Sequence, residues 1–514
     1  MSLDGTEYLK FVNNNNLPFY SYEKILNQSG TIFSTKELDK SKWSVTRDNN
    51  WKYIIFNNNL LPNQGWKIHI SANINDAAEV LQDISSFLID KKISFKFVPD
   101  SYTLKITYSK YGHREESGKF ITVYPSTEKQ FCSLLDPLLN IMSAYRNGPY
   151  ILNDQQWKQS NVFFRYGAFK KMTYNIDGNI TYIIKDPRGK CIEDVRAPYY
   201  SLPNFIKEPK FILENNVFPN EKVFSDLKSF KIDEAIHFSN AGGVYSAKYN
   251  SKRVILKEGR PNVGLDRNNN DGFARIKHEY NTLVKLRYVD EIVNPINYKE
   301  IWNHNYLVED IVDGESLSEF IAREYPFSND ISAKDYLKKA TRISITLMSI
   351  VKKVHNYGIA IGDLQPSNIM VINNHDCISL KLIDLECATR INNKFEPGLV
   401  TQDFVSQHSK TFGAADWYAV YKISRHLFLP IESGMNFSKN FIMRQNENIE
   451  DKFGKSAIKT LTYVSNEISK YINIYPSPNF YNKELDVPKY KYSMKNVENN
   501  IVGLDLGLIK NLNF

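Results

Sequence analysis

The sequence predicts an α+β protein of two domains, the second a small β-rich lobe leading into a helical lobe. Three observations carry this expectation. The chain has 514 residues, too many for one core, since single cores stop growing near ~250 to 300 residues. Up to about residue 205, strand-like alternation surrounds one helical stretch. From about residue 232 the order becomes strand, strand, strand, helix, strand, strand, and long helical segments follow.

In the first domain, residues 1–205 with an N-terminal extension, KIHIS (67–71) and FITVY (120–124) alternate as strands do, and DAAEVLQDISSFLI (76–89) has helical spacing. The proline- and charge-rich APYYSLPNFIKEPKF (197–211) reads as a boundary into a linker over 206–231. The second domain, 232–474, opens with a glycine pair in NAGGVYSAKY (240–249) and the strand RVILKE (253–258). The helix FARIKHEYNTLVKL (273–286) follows, then strands ending in YLVEDIVDGESL (306–317). Two further helices are expected in DYLKKATRISITLMSIVKKVHNYG (335–358) and DWYAVYKISRHLFLP (416–430). Residues 475–514, rich in Tyr, Asn, Pro and Lys, read as a C-terminal tail or linker, and no internal repeat is evident.

Composition narrows the function. The formal charge of +8 is spread among acidic residues without a long basic run, which suits a solvated surface better than a polyanion-binding one. The aromatic residues lack the glycine-spaced pattern of an RNA-binding sheet, so no nucleic acid partner is expected. Four cysteines, Cys132, Cys191, Cys377 and Cys387, form no CxxC pair, which argues against disulfides and structural zinc. The start lacks a basic segment followed by an apolar run, and no run of 18 apolar residues occurs. A cytoplasmic chain without a membrane span is therefore expected.

The most specific signal lies between IGDLQPSNIMV (361–371) and LKLIDLE (380–386). Asp363 is placed to accept a hydroxyl proton, and Asn368 and Asp384 offer oxygens to Mg²⁺, the arrangement a phosphoryl-transfer site needs. Lys257, on the strand VILK, would reach the phosphates of ATP or another nucleoside triphosphate, and Glu279, 22 residues on, would pair with it. Gly242 and Gly243 would let the loop backbone approach those phosphates, although a hairpin turn explains a glycine pair equally well. A lone Asp or Asn is usually a cap or turn residue; the ordered set is what points to a kinase. Two positions depart from regulated protein kinases: Gly362 stands where they carry a loop-docking arginine, and Glu386 replaces the glycine of the DFG motif. Asp416 is placed either to support the catalytic loop or simply to begin a helix.

Cations punctuate the apolar strands of the first domain: Lys67 and His69 in GWKIHISA, Lys96 in SFKF, Lys119 in SGKFITVYP, Arg165 in FFRYGAF and Arg196 in EDVRAP. Singly, each reads as a snorkelling surface charge or a satisfied core histidine. An unpaired charge inside an apolar strand is costly, however, so the group suggests a site. Lys67 and His69, two apart, share one strand face. Such a cluster suits β-elimination of phosphate, which needs a base at Cα, cations for the departing phosphate and an acid for its bridging oxygen. Crowded, buried cations can keep one lysine neutral, and a phosphate dianion would keep a histidine protonated.

These motifs resemble the phosphoserine/phosphothreonine lyase domain of class III and class IV lanthipeptide synthetases, over about residues 50–205. The GDLQPSN and IDLE versions resemble both the aminoglycoside and choline kinase group and the kinase domains of those synthetases. The resemblance implies a phosphothreonine-lyase-like α+β domain followed by a two-lobed kinase-like domain. It implies His69 as general acid, Lys96 as base, and Lys67, Lys119, Arg165 and Arg196 around the phosphate; apart from the resemblance, Arg114 in YGHREESGK and Tyr166 are read as further residues lining the site. The partners it implies are a precursor peptide with a leader segment and a cyclase domain or separate cyclase. Two rival readings are a small-molecule, aminoglycoside-type kinase with an unrelated first domain, and a pseudokinase scaffold that binds phosphopeptides.

Overall fold

The computed structural model describes residues 30–472, apart from residues 49, 59–60, 111, 177–178, 218–225, 330, 375–376, 400, 402–403, 406–408 and 431–440. The expected N-terminal extension before residue 30, part of the linker and the expected tail lie outside the described residues.

The first domain opens with β1 (Trp43–Arg47), β2 (Lys52–Phe56), β3 (Gln64–Ile70), α1 (Ala77–Asp90), β4 (Ser94–Phe97) and α2 (Ser101–Tyr108). It continues with β5 (Ile121–Tyr124), α3 (Glu128–Met142), β6 (Gln155–Gln156) and β7 (Val162–Ala168). These strands form one antiparallel sheet in the order β1-β2-β4-β5-β3-β7-β6. Strand alternation gives it two unlike faces. Trp66, Ile68 and Ile70 point to one of them and join a core with Val80, Leu81, Ile84 and Leu88 of α1 and Phe131, Leu135 and Leu138 of α3. Trp66 stacks on Phe131 with ring centroids 5.2 Å apart. Each fully buried aliphatic side chain here contributes about 1.5 to 3 kcal/mol, which fixes the register and commits Lys67 and His69 to the opposite face. A side-chain cap opens α2, where the Asp100 carboxylate accepts from the Thr103 amide at 2.7 Å.

A smaller sheet of β8 (Thr173–Ile176), β9 (Asn179–Lys185) and β10 (Cys191–Glu193) follows, then α4 (Lys210–Asn215). Phe211 stacks on Trp157 at 5.5 Å and Ile212 is fully buried in the first core, so the chain stays packed on the first domain well past residue 205.

The second domain begins with β11 (Phe230–Ser239), β12 (Gly242–Tyr249), β13 (Lys252–Gly259), α5 (Gly272–Lys285), β14 (Pro295–Ile301) and β15 (His304–Asp310). Its sheet runs β11-β12-β13-β15-β14, with α5 packed on it through Ile276 and Leu283. After β16 (Glu315–Ser316) come α6 (Leu317–Glu324), α7 (Ala333–Asn356), β17 (Ile359–Ala360), β18 (Ile369–Asn374), β19 (Cys377–Leu382) and β20 (Thr389–Arg390). The helices α8 (Phe412–Phe428), α9 (Phe441–Phe453) and α10 (Lys455–Ile468) complete the described chain. A small β lobe followed by a larger helical lobe is the order expected from the sequence. Side chains cross between the domains: Leu265, in the loop before α5, is buried in the core of the first. Among the described residues, no helix is long and apolar enough to cross a membrane.

Candidate active sites

Sheet register assembles the first site. Lys96 of β4 lies opposite Thr122 of β5, and Thr122 lies opposite His69 of β3, so the three form one row on the face away from the helices. One pleat along, Lys67 lies opposite Arg165 of β7. Lys67, His69, Lys119 and Arg165 are each at most 9% exposed. Arg196, after β10, lies over the Tyr182 ring at 3.7 Å and 3.7 Å from the Asp194 carboxylate. All six cationic positions named from the sequence thus converge, although they span 130 residues of chain (67 to 196).

The charges are set by burial and by one another. Burial, then the Arg165 charge, pushes Lys67 down to about 7. Burial likewise lowers Lys96 to about 8, with the Lys119 and Arg196 charges acting in the same direction. The Lys96 ammonium sits 3.8 Å from the Trp51 ring centroid. His69 Nδ1 bonds Asp154, which holds one imidazole nitrogen and leaves Nε2 for other partners. Burial outweighs that partner and lowers His69 to about 4. Arg165 donates to Asp194 at 2.8 Å. Glu116 stands 3.8 Å from Lys119 and 3.9 Å from Arg196. Burial opposes its ionisation, yet the Lys119, Lys96 and Arg196 charges hold it at about 2.

Two expected lining residues point elsewhere. Tyr166 follows Arg165 on β7, so alternation turns it to the helix face, where it packs edge-on against Trp66 at 5.6 Å. Arg114 lies 4.6 Å over the ring of Phe238 in the second domain. Conversely, Asp154, Asp194, Glu116 and Thr122 belong to the site and were not anticipated. Buried oxygens of Thr122, Ser117, Asp154 and Asp194 lack a hydrogen-bond partner, an uncommon state for a finished interior.

The second site lies between the lobes of the second domain. Lys257 of β13 donates to Glu279 of α5 at 2.6 Å, and Glu309 of β15, also not anticipated, stands 3.4 Å from the same ammonium. Burial disfavours the Lys257 charge, but the two carboxylates outweigh it and hold its pKa well above the usual value; burial in turn pushes Glu279 and Glu309 upward. Glu279 also accepts from the Leu385 amide at 2.9 Å, tying α5 to the DLE loop. Gly242 has a packing reason to be glycine, since a Cβ would stand 1.9 Å from the Glu258 carbonyl oxygen of β13; Gly243 follows it on β12.

Asp363 accepts from the Thr401 amide at 3.0 Å and from Gln365 at 3.0 Å. Burial, then the Asp384 charge, raises it to about 6. Asn368 donates to the Asp363 carbonyl at 3.0 Å, which leaves its side-chain oxygen available, and Asp384 adopts a left-handed φ of 61°. Asp416 accepts from the amides of Ile361 and Gly362 at 2.7 and 2.9 Å, so it supports the catalytic-loop backbone. Gly362 has φ 86°, and a Cβ there would come within 2.2 Å of the Cys387 carbonyl oxygen; no side chain fits at that position.

A β lobe with a lysine-glutamate pair, next to one loop carrying Asp363 and Asn368 and a second carrying Asp384, is the arrangement of a protein kinase domain, and residues 232–425 match the family described as "Protein kinase domain". Residues 32–221 match "RamC, N-terminal domain". The chain thus carries, in order, a region that matches the RamC N-terminal domain and one that matches the protein kinase domain, the order of domains expected from the resemblance to class III and class IV lanthipeptide synthetases. It is 31% identical over 400 residues to "Probable SapB synthase" of Streptomyces coelicolor, covering 76% of this chain and 42% of that protein, so it spans less than half of that relative's length. Over 153 residues it is 26% identical to "Probable serine/threonine-protein kinase PknB" of Lactococcus lactis, covering 29% of this chain and 22% of the relative. The Cydia pomonella granulovirus kinase PK-1 shares 16% identity over 46% of this chain and 90% of its own, at a TM-score of 0.34, too loose a likeness to build on.

Proposed function

We propose that the chain dehydrates Ser and Thr residues of a ribosomally made precursor peptide in two steps, as the lyase and kinase parts of a class III or class IV lanthipeptide synthetase do. The observation that carries this reading is the placement of buried Lys67 and half-buried Lys96, both of lowered pKa, on one sheet face with an Asp154-held histidine, on the same chain as a kinase cleft. The name of the Streptomyces relative supports a synthase.

In the first step, the hydroxyl of Ser or Thr attacks the γ-phosphorus of a nucleoside triphosphate, the bond from that phosphorus to the β,γ-bridging oxygen breaks, and the nucleoside diphosphate leaves. Asp363 takes the hydroxyl proton, and Lys257, fixed by Glu279, holds phosphate oxygens. Asn368 and Asp384 would hold Mg²⁺, which supplies charge neutralisation at the phosphates when bound. The donor set fits that ion: both offer hard oxygens, and the upward push of Asp384 on Asp363 marks excess negative charge in the cleft.

In the second step the phosphorylated residue enters the sheet face of the first domain. Lys96 in its neutral form removes the Cα proton, the Cβ–O bond breaks, and phosphate leaves among Lys67, Lys119, Arg165 and Arg196. His69 protonates the bridging oxygen; the incoming dianion raises its pKa from the low resting value and makes it an acid. The products are dehydroalanine or dehydrobutyrine and inorganic phosphate. Ring closure falls to a cyclase domain or a separate cyclase, and the leader segment of the precursor is the expected docking partner.

The test is mass spectrometry of a precursor peptide incubated with the chain, Mg²⁺ and nucleotide. Transient gain of phosphate followed by net loss of water is expected. A peptide that stays phosphorylated removes the lyase half of the proposal, and one that is never phosphorylated removes the kinase half.

A further inference from the structure

The DLE loop carries the candidate metal ligand Asp384, and its next two residues are gripped from outside the loop. Leu385 is held through its amide by Glu279 at 2.9 Å. Glu386, only 14% exposed at its side chain, receives Arg275 Nε of α5 at 3.1 Å. Its other oxygen pairs with Lys110, a residue of the first domain just beyond the end of α2. The kinase loop is therefore fixed by two groups from its own helix and one from the neighbouring domain.

The same short stretch of the first domain also ties down the glycine loop. Asn240, fully buried, donates its side-chain amide to the carbonyls of Thr107 and Ser109 at 3.1 and 3.0 Å. Its backbone amide donates to the Lys110 carbonyl at 2.9 Å. Residues 107–110 thus contact both walls of the nucleotide cleft, the turn beside Gly242 and the loop beside Asp384. A lysine pointing into a loop at 18% side-chain exposure, against a carboxylate already served by an arginine, is more than a surface pair.

We propose that Lys110 is a positioning residue for phosphoryl transfer: the first domain supplies the cation that, with Arg275, orients Glu386 and through it the Asp384 loop. Glu386 would then replace the glycine of the DFG motif because this loop is held by a side chain as well as by its backbone. Removing Lys110 leaves the Glu386 carboxylate half-served, and the loop gains freedom at the residue that must meet the metal. The inference rests on the kinase reading of the second domain and on none of the lyase assignments.

The experiment uses the full chain and a fluorescent ATP analogue, titrated with and without Mg²⁺. Lys110→Met should weaken Mg²⁺-dependent binding about tenfold while leaving Mg²⁺-free binding within twofold, and Lys110→Arg should restore it. Glu386→Gln should show a similar loss, and the double variant should be no weaker than either single one, as expected for two members of one contact. Equal losses with and without Mg²⁺, no recovery with Lys110→Arg, or effects that multiply in the double variant would each overturn the proposal. A wild-type chain that gains nothing from Mg²⁺ would instead remove the kinase reading, and this inference with it.

Discussion

Lys67 and Lys257 are equally buried, at 9% exposure each, and they carry their charge in opposite ways. Lys67, beside Arg165, is pushed down to about 7. Lys257, between Glu279 and Glu309, is held well above its usual value. Burial opposes both charges equally in kind, so the neighbours decide the sign. A cation-rich basin yields lysines that can lose a proton near neutral pH, whereas the carboxylate-lined cleft yields a permanent cation that can only bind. The two halves of the proposed dehydration need those two kinds of lysine, one in each domain.

The comparison can be broken most sharply at Lys96. Lys96→Met should slow phosphate release from a synthetic phosphopeptide by about 10³-fold, within the range general acid-base groups supply, and phosphorylated precursor should accumulate. On the other side, Asp384→Asn should cut transfer of the γ-phosphoryl group by on the order of 10²- to 10³-fold, read as radiolabel incorporated into the peptide. If either variant impaired both steps alike, the two basins would not be separate sites.

A finer test is pH. Lys96 must be neutral to act as base, and its folded pKa is lowered to about 8, so the neutral fraction grows as pH rises toward 8 and then levels. Elimination should climb up to about tenfold per pH unit below that point, and a stopped assay on phosphopeptide across pH 6 to 9 would show it. The smallest effect is structural. Gly362→Ala, forced into φ 86° against the Cys387 carbonyl, should lower stability by about 1 to 3 kcal/mol, read as a fall in Tm.

What the sequence revealed depended on how far apart the cooperating residues lie. The kinase cleft was legible because Asp363, Asn368 and Asp384 sit within 22 residues, on two short motifs in a fixed order. The sheet face was legible at Lys67 and His69 because strand period alone puts them together. The partners that complete each site were not. Asp154 reaches His69 across 85 residues, and Glu309 belongs to an ordinary-looking strand end. Thr122 matters only once register places it between Lys96 and His69. Tyr166 was misassigned for the reverse reason, since its neighbour Arg165 had already taken the basin side. The fold order was readable throughout, but the packing of Phe211 and Ile212 on the first domain lay hidden in a stretch whose prolines suggested only a boundary.

Leu265 has a meaning beyond either site. Its backbone amide bonds the Tyr108 carbonyl at 2.9 Å, and its side chain fills the first domain's core, so a residue numbered in one domain is interior to the other. Unfolding either half would leave a hole or a bared leucine in the other, a defect of about 2 to 5 kcal/mol when such a side chain is lost from a core. On heating, the described chain is then expected to come apart as one cooperative body, and a cut between the two family regions would yield two pieces each less stable than its share of the whole.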